Sequence, residues 1–192
     1  MKQIHSFDEL RQIKDTKVYA LGTFDGIHRG HQRVIRKAVE EAASVNGVSI
    51  IITFEDHPLT ILHPERVPKR LIQEDIMNAV IESLQVDYIL RLPMTEALLN
   101  MRADEFLDAL CKDTNVEAIV VGENFTFGAK GLGNPEYMKQ VLADKAIQVL
   151  VQPLLPCDEL STPISSTEIR KAIREGRLED ATHWLGRPFQ FK

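Results

Sequence analysis

Cysteine is scarce in this chain. Cys111 and Cys157 are the two it has, far apart and in no metal-binding spacing. That excludes the disulfide framework of a small secreted domain and predicts two free thiols in a reducing cytoplasm. Long apolar runs are also missing. No stretch approaches the roughly 20 residues of a membrane-crossing helix, and the opening Met1-Lys2-Gln3-Ile4-His5 turns polar at once, so neither a membrane anchor nor an export signal is expected. Basic charge is not in excess either. The formal net charge is -5 and the isoelectric point lies near 5.7, with no local basic patch in view, so nucleic acid is not an expected partner. Internal repeats, low-complexity tracts and linkers are absent, and 192 residues suffice for one sizeable α/β domain but not for two of ordinary size. A single domain over residues 1–192 is the expectation.

What is present alternates. Five short runs rich in Val and Ile read as strands: Val18 to Gly22, Val48 to Phe54, Asp87 to Leu92, Ala118 to Gly122, and Ile147 to Val151. Most lack strict polar alternation, as expected when both faces of a parallel sheet are covered. Helical spacing fills the gaps: Arg29 to Asn46 ahead of Gly47, Gln73 to Gln85 with Ile76, Val80, Ile81 and Leu84 on one face, and Ala103 to Lys112 with Phe106, Leu107 and Leu110. Ser6-Phe7-Asp8-Glu9 and Ser165-Ser166-Thr167-Glu168 are capping-box patterns, the first opening a short helix and the second opening Ile169 to Glu175. A last helix spans Leu178 to Leu185, so residues 163–192 form a helical tail. The fold class predicted is α/β, a doubly wound parallel sheet, in which ligands bind beyond the carboxyl ends of the strands.

The most specific segment follows the first strand and opens the first long helix: Gly22-Thr23-Phe24-Asp25-Gly26-Ile27-His28-Arg29-Gly30-His31. A helix start offers unpaired N–H groups and a positive dipole end, and glycines let a phosphate approach the backbone. His28 and His31, three apart, face the same side and can donate hydrogen bonds to phosphate oxygens as charge develops. The competing readings are surface histidines on a tight turn, or a metal pair, for which no third ligand stands nearby. At Pro163-Ile164-Ser165-Ser166-Thr167-Glu168-Ile169-Arg170, hydroxyls and N–H groups cluster at another helix start with Arg170 about one turn on. By itself this is an ordinary N-cap with a solvated arginine; beside the histidine turn it reads as a second phosphate cradle.

Two stretches at strand carboxyl ends add aromatic and polar groups: Thr53-Phe54-Glu55-Asp56-His57-Pro58, and Gly122-Glu123-Asn124-Phe125-Thr126-Phe127-Gly128 with Gly131 and Gly133 beyond. Aromatic rings there either stack on a planar ligand or fill the core, whereas His57 and Asn124 are polar groups placed just past strand ends.

The histidine turn resembles the G-x-F-D-G-x-H-x-G-H signature of the HxGH nucleotidyltransferase superfamily. Ile164 to Arg170 resembles the I-S-S-T-x-I-R motif of bacterial FAD synthetases. Thr53 to Pro58 resembles their T-F-x-P-H-P segment, with Asp56 in place of proline, and Gly122 to Gly128 their G-x-[DN]-F-x-F-G loop. Thr23 stands where many members carry Asn. The likeness runs in order over nearly the whole chain and ends in Leu185-Gly186-Arg187-Pro188-Phe189, which in bifunctional members leads into a riboflavin kinase domain whose G-x-P-T-x-N motif is missing here.

The resemblance implies a Rossmann-like nucleotidyltransferase fold and an FMN adenylyltransferase, joining AMP from ATP to FMN to give FAD and pyrophosphate, with Mg2+ arriving on ATP. It implies phosphate and catalytic roles for His28, His31, Ser166, Thr167 and Arg170. Gly22, Thr23, Phe24, Asp25, Gly26 and Ser165 would shape the ATP site, and Phe54, His57, Pro58, Asn124, Phe127 and Gly128 the FMN side. Whether the chain stands alone, with a separate riboflavin kinase supplying FMN, or is the adenylyltransferase part of a longer enzyme stays open, as does the oligomeric state. The rivals are another HxGH enzyme, a cytidylyltransferase or pantetheine-phosphate adenylyltransferase, and a flavin-binding regulator without turnover.

Overall fold

The computed structural model describes residues 1–157 and 160–189. Six parallel strands form the main sheet: β1 (Lys2–Ile4), β2 (Lys17–Leu21), β3 (Val48–Phe54), β4 (Tyr88–Leu92), β5 (Val116–Gly122) and β6 (Gln148–Gln152). Their order in space is β1-β4-β3-β2-β5-β6. The chain winds outward from β2 in both directions, so the order reverses between β2 and β5, where a doubly wound sheet opens its crevice. Register is regular where β2 meets β3, from Lys17 opposite Val48 to Leu21 opposite Ile52.

Period-two alternation divides the core. Tyr19, Leu21, Ile50 and Ile52 face one side, where they pack with Phe106, Leu107 and Leu110 of α6 (Ala103–Cys111). Val18, Ala20 and Ile51 face the other, under Val34, Ile35, Ala38 and Ala42 of α2 (Arg29–Ser44) and Ile81 of α4 (Glu74–Ser83). Both faces are dry, which is why the strands read as continuous apolar runs. A third cluster joins Leu71, Ile164 and Ile169 to Ala181, Trp184 and Leu185, fixing α8 (Ser166–Arg174) and α9 (Leu178–Leu185) against the turn beyond β2. Cys111 and Cys157 are both buried, and neither is in a disulfide.

The expected strands and long helices form, with ends moved by one to three residues. Gly22 lies outside β2, β5 begins at Val116, and α2 stops at Ser44. Ser6 caps α1 (Phe7–Gln12), its hydroxyl accepting from the Glu9 N–H at 3.2 Å. Other elements were not anticipated. Strand β1 lies at the sheet edge, Lys2 opposite Tyr88 in parallel register. Three polar-flanked residues carry no period of their own, so the pairing is decided by the neighbour. Also unforeseen were the one-turn helices α3 (Leu59–Leu62) and α5 (Glu96–Asn100), the antiparallel pair β7 (Pro156–Cys157) and β8 (Leu160–Pro163), and α7 (Pro135–Leu142). The last did carry a local signal: Asn134 accepts from the Tyr137 N–H at 2.8 Å, with Pro135 at the first helical position.

Candidate active site

Between β2 and β5, at their carboxyl ends, lies a cleft of about 680 Å³. Its first wall is the turn from Gly22 to His31. A Cβ on Gly22 would sit 2.9 Å from the Phe24 ring, so only glycine lets that ring fold back over the strand end. Phe24, Gly26 and Ile27 all have left-handed backbone, with φ of 50°, 81° and 39°. For the two non-glycine residues this conformation is costly and persists only where surroundings over-determine it.

Several contacts do so. Thr53 Oγ1 donates to the Thr23 carbonyl at 3.1 Å. The Asp25 carboxylate accepts from the Leu71 N–H at 3.0 Å and pairs with the Arg170 guanidinium, while the Asp25 carbonyl accepts from Ser166 Oγ at 2.9 Å. Arg170 Nε also donates to the Lys69 carbonyl at 2.8 Å. Asp25 thus ties the turn to α8 across more than a hundred residues of chain.

His28 is the N-cap of α2: its Nδ1 accepts from the His31 N–H at 3.3 Å. The accepting nitrogen carries no proton, so a neutral His28 keeps its donor on Nε2. The two imidazoles stack, centroids 3.6 Å apart and planes at 20°, and the Phe24 ring meets His31 edge-on at 5.3 Å. Burial pushes the His28 pKa down to about 4, with the Arg187 cation adding to the shift, and burial together with His28 holds His31 well below the ordinary value. Both rings are therefore neutral donors at pH 7. His31 Nδ1 is buried without a hydrogen-bond partner.

Facing the histidines are Ser165 and Ser166 at the start of α8, Ser165 Oγ accepting from the Glu168 N–H at 3.2 Å. The remaining walls are mostly apolar. The segment after β5 contributes Asn124, Phe125, Phe127 and Gly128, closed by paired hydrogen bonds between Phe127 and Gly133 at 3.1 and 2.9 Å. Phe127 stacks on Phe125 with centroids 5.8 Å apart and is itself buried against Phe106, so it supports the wall from the core. Phe54 and Pro58 line the same cleft. A mostly apolar cavity with few convergent donors suits a planar ligand bearing phosphate.

Of the residues singled out in the sequence, the cleft brings together Gly22, Thr23, Phe24, His28, His31, Phe54, Pro58, Asn124, Phe127, Gly128, Ser165 and Ser166. Five lie off it. Asp25, Gly26 and Arg170 sit behind the turn, Thr167 is exposed on α8, and His57 lines a separate cavity of about 120 Å³ with Asp25, Asp56 and Arg70. There His57 Nδ1 accepts from the Leu59 N–H at 3.1 Å, and burial, then the Arg170 charge, lowers its pKa. Asp56, where relatives of this pattern have proline, pairs with Arg70 at 3.1 Å. Sequence reading missed Met94, Leu98, Lys130, Gln152 and Leu155, which line the cleft without any motif to mark them. It also missed the task of Arg187, whose Nη2 donates to the Gly26 carbonyl at 2.6 Å.

The sequence profile of the FAD synthetase family matches residues 10–168, a span that includes the whole histidine turn and the start of α8. The chain belongs to the FAD synthetase family. It is 34% identical over 197 residues to the bifunctional riboflavin kinase/FMN adenylyltransferase of Bacillus subtilis, covering 100% of this chain and 61% of that one. The protein of the same name from Buchnera aphidicola subsp. Schizaphis graminum is 32% identical over 191 residues, covering 98% of this chain and 61% of the relative. The chain thus spans about 61% of the length of these relatives. A crystal structure described as a macrolide-efflux protein from Streptococcus pneumoniae matches with a TM-score of 0.84 at 28% identity, over 97% of this chain and 70% of that one. Among the described residues, no helix is long and apolar enough to cross a membrane.

Proposed function

We propose that this chain acts as one catalytic domain that transfers AMP from Mg-ATP to FMN, giving FAD and pyrophosphate. The observation that carries the reading is the stacked, neutral pair His28 and His31 at the start of α2, facing Ser165 and Ser166 across a largely apolar cleft. A phosphate oxygen of FMN attacks the α-phosphorus of ATP in line. The new P–O bond forms as the bond from the α-phosphorus to its bridging oxygen breaks, and pyrophosphate leaves with that electron pair. The neutral imidazoles donate hydrogen bonds to the phosphate oxygens as charge shifts, with no covalent enzyme intermediate. Magnesium enters as part of the Mg-ATP substrate.

Gly22, Thr23 and Phe24 shape the nucleotide side. Ser165 and Ser166 present the start of α8 to the phosphates, Thr167 standing exposed beside them, while Asp25, Gly26 and Arg170 hold the turn from behind. On the flavin side, Phe54, Pro58, Asn124, Phe127 and Gly128 border the ring system, and His57 fixes the loop that carries Pro58 through its bond to the Leu59 N–H. A riboflavin kinase, on a separate chain or further along a longer one, supplies FMN in the cytoplasm.

The test is to incubate the purified chain with Mg-ATP and FMN, and separately with riboflavin, following FAD, FMN and pyrophosphate by chromatography. FAD and pyrophosphate in equal amounts from FMN, with riboflavin untouched, is expected. FMN bound without turnover would overturn the reading in favour of a flavin-binding regulator. Turnover only with CTP, or only with another phosphorylated acceptor, would assign the cleft to a different nucleotidyl transfer.

A further inference from the structure

We propose that Arg187 is a positioning residue for the histidine turn, holding the left-handed backbone that aims His28 and His31 into the cleft. The inference rests on the adenylyl-transfer reading for its kinetic consequences and on geometry for its basis. Helix α9 ends at Gly186, whose φ of 69° turns the chain back toward α2. A Cβ there would lie 3.3 Å from the Arg29 side chain and 3.4 Å from Gln32. The return delivers Arg187 behind the turn. Its Nη2 donates to the Gly26 carbonyl at 2.6 Å, and Nη1 donates to the Ile27 carbonyl at 3.3 Å and the Leu185 carbonyl at 3.5 Å. Gln32 Nε2 reinforces the same clamp, donating to the carbonyls of Ile27 and Leu185 at 3.0 Å each.

The clamped peptides belong to the two left-handed residues directly before His28. Their carbonyls point away from the cleft and meet two arms of one rigid fork, which a lysine ammonium does not reproduce. No carboxylate among the described residues pairs with Arg187, in contrast to Arg170, which Asp25 neutralises. The Arg187 charge is therefore spent on backbone dipoles and on His28. Arg187 from the tail and His31 on the same helix are the titratable groups that bear on the His28 ring, and the arginine favours its neutral form. The segment Leu185 to Phe189, which reads in sequence as the exit from the domain, is by this geometry part of the support of the site.

Two measurements on the full chain test the inference. In the first, Arg187→Met and Arg187→Lys are compared with Arg174→Met, a basic residue of α8 that makes no contact with the turn. Loss of alignment by about an ångström lowers kcat on the order of 100-fold for Arg187→Met, with little change in KM for FMN, because the interaction lost matters in the transition state. Arg187→Lys falls between, Arg174→Met matches the parent, and guanidinium added to Arg187→Ala restores part of the rate. A purely structural role would lower the unfolding temperature and leave kcat per folded molecule unchanged, and that result would overturn the proposal.

The second measurement needs no substrate: the imidazole of His28 is titrated by NMR. Its midpoint, about 4 in the parent, rises toward the ordinary histidine value in Arg187→Met. If the parent makes no FAD but the midpoint also moves in Arg187→Lys, which keeps the charge and loses only the fork, the adenylyl-transfer reading fails and the positioning role stands. An unmoved midpoint with undiminished kcat sinks the positioning role alone. Should Arg187→Met not fold, Arg187→Lys supplies both readouts.

Discussion

The two walls of the cleft are built by different physics. The histidine wall is held by polar contacts to strained backbone: Asp25 to Arg170, Leu71 and Ser166, and Arg187 and Gln32 to the carbonyls of Gly26 and Ile27. The aromatic wall is held by packing, with Phe125 on Phe127 and Phe127 against Phe106 and Tyr137, and needs few hydrogen bonds beyond the Phe127–Gly133 bridge. Directional contacts fix the orientation of individual polar atoms; area-driven contacts suffice to hold a surface of flat apolar rings.

The difference is open to attack, most strongly at Phe127. Truncation to alanine removes a buried ring from the principal core cluster and should cost about 3–5 kcal/mol in urea unfolding, so the aromatic wall fails through stability. His31→Ala should do the opposite. Turnover should fall by about 10²–10³-fold, while the unfolding midpoint moves far less than for Phe127→Ala, because the His31 ring lines the cleft outside the core clusters and carries a buried nitrogen without a hydrogen-bond partner. Wild-type turnover in that variant would remove the histidines from the chemistry.

A third test uses pH. His28 has a folded-state pKa of about 4, below its ordinary 6.5, so the unfolded chain binds a proton in that window that the folded chain refuses. Stability is therefore undiminished by this group above pH 6.5 and is lost as pH falls from 6.5 to 4, by about 3 kcal/mol at roughly 1.4 kcal/mol per unit. His31 adds loss of the same sign. Activity at saturating substrate should hold well below pH 6.5, where an ordinary histidine would already be charged. Stability that stays flat across that window would place the rings in water.

Smaller effects probe the polar network. Asp25→Asn keeps an acceptor for Leu71 but loses the charge opposite Arg170, and should cost about 1–3 kcal/mol, with a clear coupling to Arg170→Met in a double-mutant cycle. Smallest of all, Asp56→Ala breaks an exposed pair with Arg70 and should change stability by about 0–1 kcal/mol. A larger loss there would mean that the departure from proline matters to the loop bearing His57.

Much of the molecule was legible because its signals are local. Apolar runs covered on both faces marked β2 to β6, Ser6 and Ser165 capped the helices they were expected to cap, and the glycine-punctuated turn between β2 and α2 placed His28 and His31 at the start of a helix. Each of these depends on residues within a few positions of one another, and near neighbours along the chain are near neighbours in space.

What the tertiary structure alone decided are the long-range partners. A motif could bring Arg170 near the histidine turn, but only the packing of α8 gave it to Asp25 and turned it behind the cleft. His57, next to Pro58 in sequence, lines another cavity, where its ring accepts from the Leu59 N–H. Strand β1 exists only beside β4, and Arg187 acquires its role only because Gly186 folds the tail back onto α2, some 160 residues from the carbonyls it meets. Pairings at such separations obey no local period; they follow from which surfaces the sheet and its helices bring face to face.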